Sequence, residues 1–431
     1  MIHSSAPPTP RSSAAGSAGL QSGSRRPRGA HGRGGPHKGD DRVAKKAAKN
    51  KTKRSVRKKT TGRRTGSSNG GASKASDRIV ALAEGVVAQI HGDANPTIDV
   101  PVRSLSNVSF NTRKGIIEMG SATAARPFFD LGNARRFMQT MVMSSELLKL
   151  QDQRKTTSIR DMFYCCKHTI EGTREETFNE QEESDPVIED LEVKLGLLRE
   201  ELRVFANPGG AMVGPMTIRD SGDEINLGRM GSGGWGVPSI VEPHVIEFIR
   251  HKAKFVLLVE KAAVWMRFNE DRFWESYKCM LIHGGGQPPR GVRRLCHRMV
   301  SELNLPLYVL VDNDPWGYYI YSVVKQGSIN LAFESSRMAV PKARFLGMSS
   351  YDAAEFDISP SVTIRLNDKD IARAKEIMAY PWFADRRWQR EIKHMLKLGV
   401  KLELEALSSK EFSFIADTYL PQKLKKRKWL E

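Results

Sequence analysis

Cysteine is scarce: the 431 residues hold four, Cys165, Cys166, Cys279 and Cys296. None stands in a CxxC spacing, which removes the usual zinc and redox-pair arrangements and suits a reducing, cytosol-like compartment. The vicinal Cys165 and Cys166 are expected to be buried thiols. No apolar h-region follows Met1 and no apolar run approaches the length of a membrane span, so neither secretion nor membrane insertion is expected. Nor does any glycine-rich loop end in Lys-Ser or Lys-Thr, so the chain carries no recognisable nucleotide-hydrolysis motif. No internal repeat is present.

Acidic residues are almost missing from the first 76 positions. There, 19 Lys and Arg face two Asp, a surplus of 17, which leaves only 2 of the formal net +19 for the remainder. The stretch also has few large apolar side chains. It cannot bury enough surface to offset its ordering entropy, and residues 1–76 are expected to be a disordered basic tail. Runs such as Lys45-Lys46 and Arg57-Lys58-Lys59 would neutralise DNA phosphates without reading sequence. The same charge would serve equally as a solubilising extension. A transit peptide has a similar Arg- and Ser-rich composition, but the stretch lacks amphipathic periodicity.

Residues 77–205 read as mostly helical. Ser76 is a candidate N-cap, and Ile79, Leu82, Val86, Val87 and Ile90 recur at helical spacing until Gly92. Short β-type stretches follow at 98–102 and 115–119, then helical patterns at 133–150 and 158–170. A further helix is expected from Asp185, with Pro186 at its first position and Ile188, Leu191, Leu195, Leu198 and Leu202 along one face. Helices with a small ribbon suggest a DNA-binding unit of winged-helix type.

From Phe205 onward the composition changes. Gly209-Gly210 and the glycines between 228 and 236 mark loops, residues 246–251 read as helical, and apolar runs then alternate with helical segments. The runs at 255–259, 279–282 and 307–311 read as buried strands, separated by helices at 264–277 and 290–303, and a last helix covers 388–398. Such alternation implies an α/β domain with a parallel sheet, here residues 206–431.

Two of these strands end in acid: Glu260 closes the first run, and Asp312 and Asp314 close the third. Ligands of open α/β sheets bind at the C-terminal strand ends, so the three carboxylates can converge there on Mg²⁺. An acid after a strand is often only a turn or cap residue, but acids on two strands separated by one helix-strand-helix unit carry more weight. The arrangement resembles the Toprim fold of topoisomerases, primases and some nucleases. Between the acidic strands, residues 284–289 precede Arg290, Arg293 and Arg294; the segment reads either as a phosphate cradle or as a structural turn.

A second element lies upstream. Arg160, Tyr164, Lys167 and His168 can share one helical face, and a phenol among cations is a poised nucleophile, since Tyr ionises near pH ~10 and positive charge favours the phenolate. On this helix alone, an ordinary half-buried tyrosine and a surface arginine explain the pattern as well.

The string Arg160-Asp-Met-Phe-Tyr164, the strand end Val259-Glu260-Lys261 and the segment Asp312-Asn-Asp-Pro-Trp-Gly-Tyr-Tyr-Ile-Tyr-Ser322 together resemble the family of DNA topoisomerase VI A subunits, which also includes the meiotic transesterase that initiates recombination. The similarity runs from about Asp77 to near the C-terminus, and the basic tail has no counterpart in the family core. The resemblance implies that Tyr164 is the nucleophile, Arg160 its phosphate-stabilising neighbour, and Glu260, Asp312 and Asp314 the Mg²⁺ ligands. It further implies double-stranded DNA as substrate, a 5′-phosphotyrosyl intermediate, a dimer of A subunits, and an A2B2 heterotetramer in which ATP is bound by a separate B-type ATPase. The alternatives are a recombination-initiating transesterase that cuts without resealing and a Toprim metal-dependent nuclease in which Tyr164 is structural. The glycine-rich segment 214–238 favours the topoisomerase. The implied location is cytoplasmic, at the nucleoid, or nuclear were the source eukaryotic.

Overall fold

The computed structural model describes residues 70–206 and 208–431. Nearly all of the expected basic tail therefore lies outside the described residues. Helix α1 (Gly70–His91) begins before Ser76, because Ala75 is itself buried together with Ile79. Four short strands follow, β1 (Thr97–Pro101), β2 (Val108–Asn111), β3 (Ile116–Met119) and β4 (Thr123–Pro127); β1 pairs antiparallel with β4, and β2 with β3. Next come α2 (Leu131–Gln153), β5 (Thr157–Ser158), α3 (Ile159–Cys166), α4 (Gln181–Leu195) and β6 (Val204–Phe205), with β5 and β6 pairing in parallel. Met143, Leu147, Met162, Phe163, Ile188 and Leu191 join α2, α3 and α4 in one core.

Helix α4 departs from expectation at both ends. Helix α4 starts at Gln181, so Pro186 lies inside it; Glu182 and Glu183 in the first turn complement the helix dipole, while buried Val187, Ile188 and Leu191 hold the axis despite the missing N–H. It ends at Gly196, whose φ of 62° stops it, so Leu198 and Leu202 are buried beyond the helix and not on it. Cysteine burial also divides: Cys166 is buried, Cys165 exposed.

The remaining chain opens with β7 (Ala211–Val213), β8 (Met216–Asp220), β9 (Asp223–Asn226), β10 (Trp235–Gly236) and β11 (Ile246–His251). It continues through β12 (Phe255–Val259), α5 (Ala262–Glu270), α6 (Phe273–Ser276), β13 (Cys279–His283), α7 (Arg290–Leu303), β14 (Leu307–Leu310), α8 (Pro315–Gln326), α9 (Ser335–Met338) and β15 (Arg344–Gly347). Last are α10 (Asp352–Glu355), β16 (Ile364–Arg365), α11 (Asp368–Ala379), α12 (Arg386–Leu398), β17 (Val400–Lys401) and α13 (Leu420–Lys425).

The main sheet runs β10-β7-β13-β12-β14-β15, with β13, β12, β14 and β15 parallel and β7 antiparallel at the β13 side. Alternate residues of the parallel strands enter two cores. Val256, Leu258, Ile282 and Val309 meet α7 and α8 on one face, while Leu257, Val259, Leu281 and Leu310 meet α5 and the C-terminal segments on the other. Burial on both faces is why these strands are continuously apolar in sequence. Residues 246–251, expected to be helical, form β11 in a separate sheet ordered β11-β8-β9. Six residues are too few to separate a period of 3.6 from one of 2, and pairing with β8 decides the matter. The glycine-rich segments form loops and turns between strands, as expected, with only Gly236 in a strand, β10. Gly210, at φ 83°, lets β7 approach β13; a Cβ there would lie 2.1 Å from the His283 carbonyl oxygen. Among the described residues no helix is long and apolar enough to cross a membrane.

Candidate active site

The C-terminal ends of β12 and β14, neighbours in the sheet, bring Glu260, Asp312 and Asp314 to one edge. Backbone geometry fixes each of them. Asp314 is the N-cap of α8, its carboxylate accepting the Gly317 N–H at 2.6 Å, with Pro315 opening the helix. Asp312 is only 5% exposed; Oδ1 accepts the Leu404 N–H at 2.8 Å and Oδ2 pairs with Lys261 Nζ at 2.9 Å. Glu260 Oε2 accepts the Asp312 N–H at 3.1 Å. Lys261 also reaches Glu405 at 2.7 Å and Glu403 at 3.2 Å.

Crowding of these carboxylates, Asp312 buried and Glu260 and Asp314 half-buried, has an electrostatic consequence. Burial, then the charge of Asp312, pushes the Glu260 carboxyl up to about 7. Burial pushes Asp312 up to about 6, although the Leu404 N–H and Lys261 work against it, and burial likewise raises Asp314 against the Gly317 N–H. For Lys261, burial acts downward but is outweighed by its bonds to Glu405 and Asp312, so the ammonium is held firmly charged. The site is thus an acidic edge partly neutralised by one lysine. Its donors are all carboxylate oxygens, the set that suits a hard divalent cation and not zinc. As they stand, no three acidic, imidazole or thiolate groups among the described residues converge closely enough to coordinate a metal. Their oxygens are turned instead to Lys261 and to backbone N–H groups.

Sequence reasoning misses Lys261, Glu403 and Glu405 as members of the site. Lys261 stands beside Glu260 and is within reach of a local reading, but the alternating Lys401-Leu-Glu-Leu-Glu405 reads only as a half-exposed strand edge. The 284–289 segment behaves as a structural turn: the Gly286 N–H bonds the Glu260 carbonyl at 2.9 Å. The phosphate-cradle alternative loses its cations, because Arg290 pairs with Glu192, Glu200 and Glu334 at 2.7–3.1 Å, Arg293 with Glu334 at 3.4 Å and Arg294 with Glu242 at 2.8 Å.

Tyr164 and Arg160 lie one turn apart on α3, both exposed, Tyr164 at 59%. Ser158 caps the helix by accepting the Asp161 N–H, and Met162, Phe163 and Cys166 anchor its inner face. The Tyr164 ring packs edge-on against Phe163, with centroids 5.1 Å apart. The expectation that Lys167 and His168 share this helical face does not hold. Helix α3 stops at Cys166, Lys167 turns extended and bonds the Asn179 carbonyl, and the His168 N–H bonds Thr177 Oγ1. Among the described residues, no hydrogen bond or ion pair links Tyr164 or Arg160 to the acidic edge within one chain.

Known proteins resemble the chain along all three of its folded parts. Residues 255–424 match the family of the Toprim domain of topoisomerase 6 A subunits and Spo11, residues 135–204 the family described as "Type IIB DNA topoisomerase", and residues 207–252 the all-beta domain of the DNA topoisomerase VI alpha subunit. The A subunit of type 2 DNA topoisomerase 6 from Pyrococcus horikoshii is 41% identical over 367 residues, covering 83% of this chain and 95% of that protein. Its counterpart in Aeropyrum pernix is 41% identical over 353 residues, covering 78% and 90%. In Halobacterium salinarum the figure is 33% over 358 residues, covering 82% and 96%. Identity of this depth across the helical part, the small sheet and the acidic α/β part means that the chain belongs to the family of type IIB DNA topoisomerase A subunits, the catalytic, DNA-cleaving subunits of that class of isomerase.

Proposed function

We propose that Tyr164 is the nucleophile with which this chain cuts double-stranded DNA, and that Glu260, Asp312 and Asp314 are the residues that would hold Mg²⁺ for the cut. The observation that carries this reading is the placement of three carboxylates, two of them pushed to about 6 and about 7, at the C-terminal ends of adjacent parallel strands. Lys261 is the one cation at this edge and is itself shared among Asp312, Glu403 and Glu405, so a bound divalent cation would supply the neutralisation of the phosphate and of the leaving oxygen. The Tyr164 Oη attacks a backbone phosphorus; the new O–P bond forms as the bond to the 3′ oxygen breaks, the phenolic proton departs and the 3′ oxygen leaves as a hydroxyl. Arg160, one turn away, neutralises the phosphorane oxygens. One phosphodiester replaces another, so resealing by the reverse step needs no external energy.

One chain offers one such tyrosine, so a double-strand break requires two. The exposure of Tyr164 and its lack of contact with the acidic edge in its own chain support a dimer in which each tyrosine works with the partner's carboxylates. The ribbon and the three packed helices around α3 support the winged-helix reading of the first domain. Strand passage would then draw on a B-type ATPase in an A2B2 assembly, because this sequence carries no nucleotide-hydrolysis motif.

The test combines the chain and its B-type ATPase with supercoiled plasmid and Mg²⁺, followed by a detergent quench. Protein attached covalently to DNA 5′ ends, absent in Tyr164→Phe and in Asp312→Ala, is the expected outcome. Linear DNA with free ends, unaffected by Tyr164→Phe, would replace this reading with a metal-dependent nuclease.

A further inference from the structure

Between the two aspartates of the acidic edge stands Asn313, 4% exposed and held through both its backbone and its side-chain NH₂. Its N–H donates to the Leu402 carbonyl at 2.9 Å and its carbonyl accepts the Leu402 N–H at 3.1 Å. The side-chain amide donates to Tyr318 Oη at 2.6 Å and to the Met348 carbonyl at 3.3 Å. Tyr318, fully buried on α8, passes the connection on, its hydroxyl donating to Glu391 Oε1 at 2.9 Å.

Glu391 is the unusual member. It projects from α12 into the core at 3% exposure, and among the described residues no lysine, arginine or histidine forms an ion pair with it. Hydrogen bonds hold its carboxylate instead: Tyr318 Oη, the Ser349 hydroxyl at 2.8 Å and the Ser350 N–H at 2.5 Å. A buried carboxylate without a cation is expensive, and an apolar side chain of similar volume would usually serve stability better. Its partners explain the expense. Ser349 and Ser350 follow β15, whereas Asn313 follows the adjacent β14, so one carboxylate clasps the C-terminal ends of two neighbouring strands at the edge where Asp312 and Asp314 sit.

We infer that Glu391 is a positioning residue for metal binding: through Tyr318 and Asn313 it holds the Asp312–Asp314 segment in the shape a divalent cation requires. This rests on the metal-site reading above. Outer partners of metal ligands act by limiting the orientations those ligands can take, and their loss lowers metal affinity without removing a ligand. Tyr318 meanwhile packs edge-on against Phe345 and Trp388, contacts that survive loss of its hydroxyl.

The experiment uses the full chain freed of metal with chelator, and measures its melting temperature across a Mg²⁺ titration, a readout that needs no cleavage. Glu391→Gln and Tyr318→Phe should each raise the Mg²⁺ concentration for half-maximal stabilisation by roughly tenfold. DNA cleavage, weak in both at low Mg²⁺, should recover at high Mg²⁺. Tyr318→Phe keeps the proposal testable if Glu391→Gln does not fold. Ile392→Val, on the same helix and equally buried, should lower the melting temperature and leave the Mg²⁺ midpoint where it was. A wild-type response that Asp312→Ala abolishes, with the midpoint unchanged in both Glu391→Gln and Tyr318→Phe, would overturn the positioning role alone. A wild-type chain indifferent to Mg²⁺ would overturn the metal site and this inference with it.

Discussion

At the scale of single residues, Glu260 sits in a place that stability alone would not choose. Its native carboxyl keeps a proton up to about 7 where an ordinary glutamate gives it up near 4.5. The native state thus binds protons more tightly than the unfolded chain, and stability is lost as pH rises through that interval. Glu260→Gln removes this loss. Without metal the variant should exceed the wild type by roughly 1–3 kcal/mol at pH 8 and by less than about 0.5 kcal/mol near pH 4.5, while forming no covalent DNA adduct. Urea denaturation in chelator at the two pH values checks it, and an equal gain at both would show that the effect is not the carboxylate's charge. Glu260, Asp312 and Asp314 are all legible in sequence because each closely follows an apolar strand run. Their companions Glu403 and Glu405 are not: Glu405 stands 144 positions from Lys261, and nothing local records that meeting.

Among the elements, the buried parallel strands are the most legible and the short pieces the least. Phe255–Val259 and Leu307–Leu310 are apolar at every position because helices or loops cover both sheet faces. Strand β11 escapes a sequence reading because its six residues suit either period, and α3 reads too long because nothing in Cys166-Lys-His168 marks an end. Helix α3 stops where Thr177 takes the backbone that would have continued it, with Thr177 Oγ1 donating to the Cys166 carbonyl at 2.6 Å and accepting the His168 N–H. An eight-residue helix is not stable by itself. Its hold on Tyr164 therefore depends on Met162, Phe163 and Cys166 beneath it. Met162→Ala should cost about 2–5 kcal/mol, measured by denaturation, and should slow adduct formation at a temperature where the protein remains folded. Full destabilisation with an unchanged adduct rate would mean that Tyr164 is positioned by something other than its helix.

For the molecule as a whole, a buried ionic cluster joins the helical part to the acidic α/β part. Arg290 at the start of α7 meets Glu192 of α4, Glu200 beyond it and Glu334 before α9. Arg293 depends on Glu334 as well, and its Nε and Nη1 have no hydrogen-bond partner among the described residues. Removing one carboxylate leaves two guanidiniums short of charge inside the protein. Glu334→Gln should therefore destabilise by about 3–5 kcal/mol, read as a lower urea midpoint. A change below about 1 kcal/mol would mean that water already reaches the cluster.

Taken by itself, the sequence determined what depends on neighbours along the chain: apolar runs that must be strands, acids at their ends, the strong basic bias of the first segment, and motifs close enough to a known family to name it. The tertiary structure alone decided what depends on distant groups meeting: the hold of Lys261 on Asp312 and Glu405, the clasp of Glu391 through Tyr318 on Asn313, the end of α3, and the loss of Arg290 to an ion cluster. The physical reason is range. Periodicity records which face of an element is buried, whereas hydrogen bonds and ion pairs form wherever packing brings a donor to an acceptor, at sequence separations that no local pattern marks.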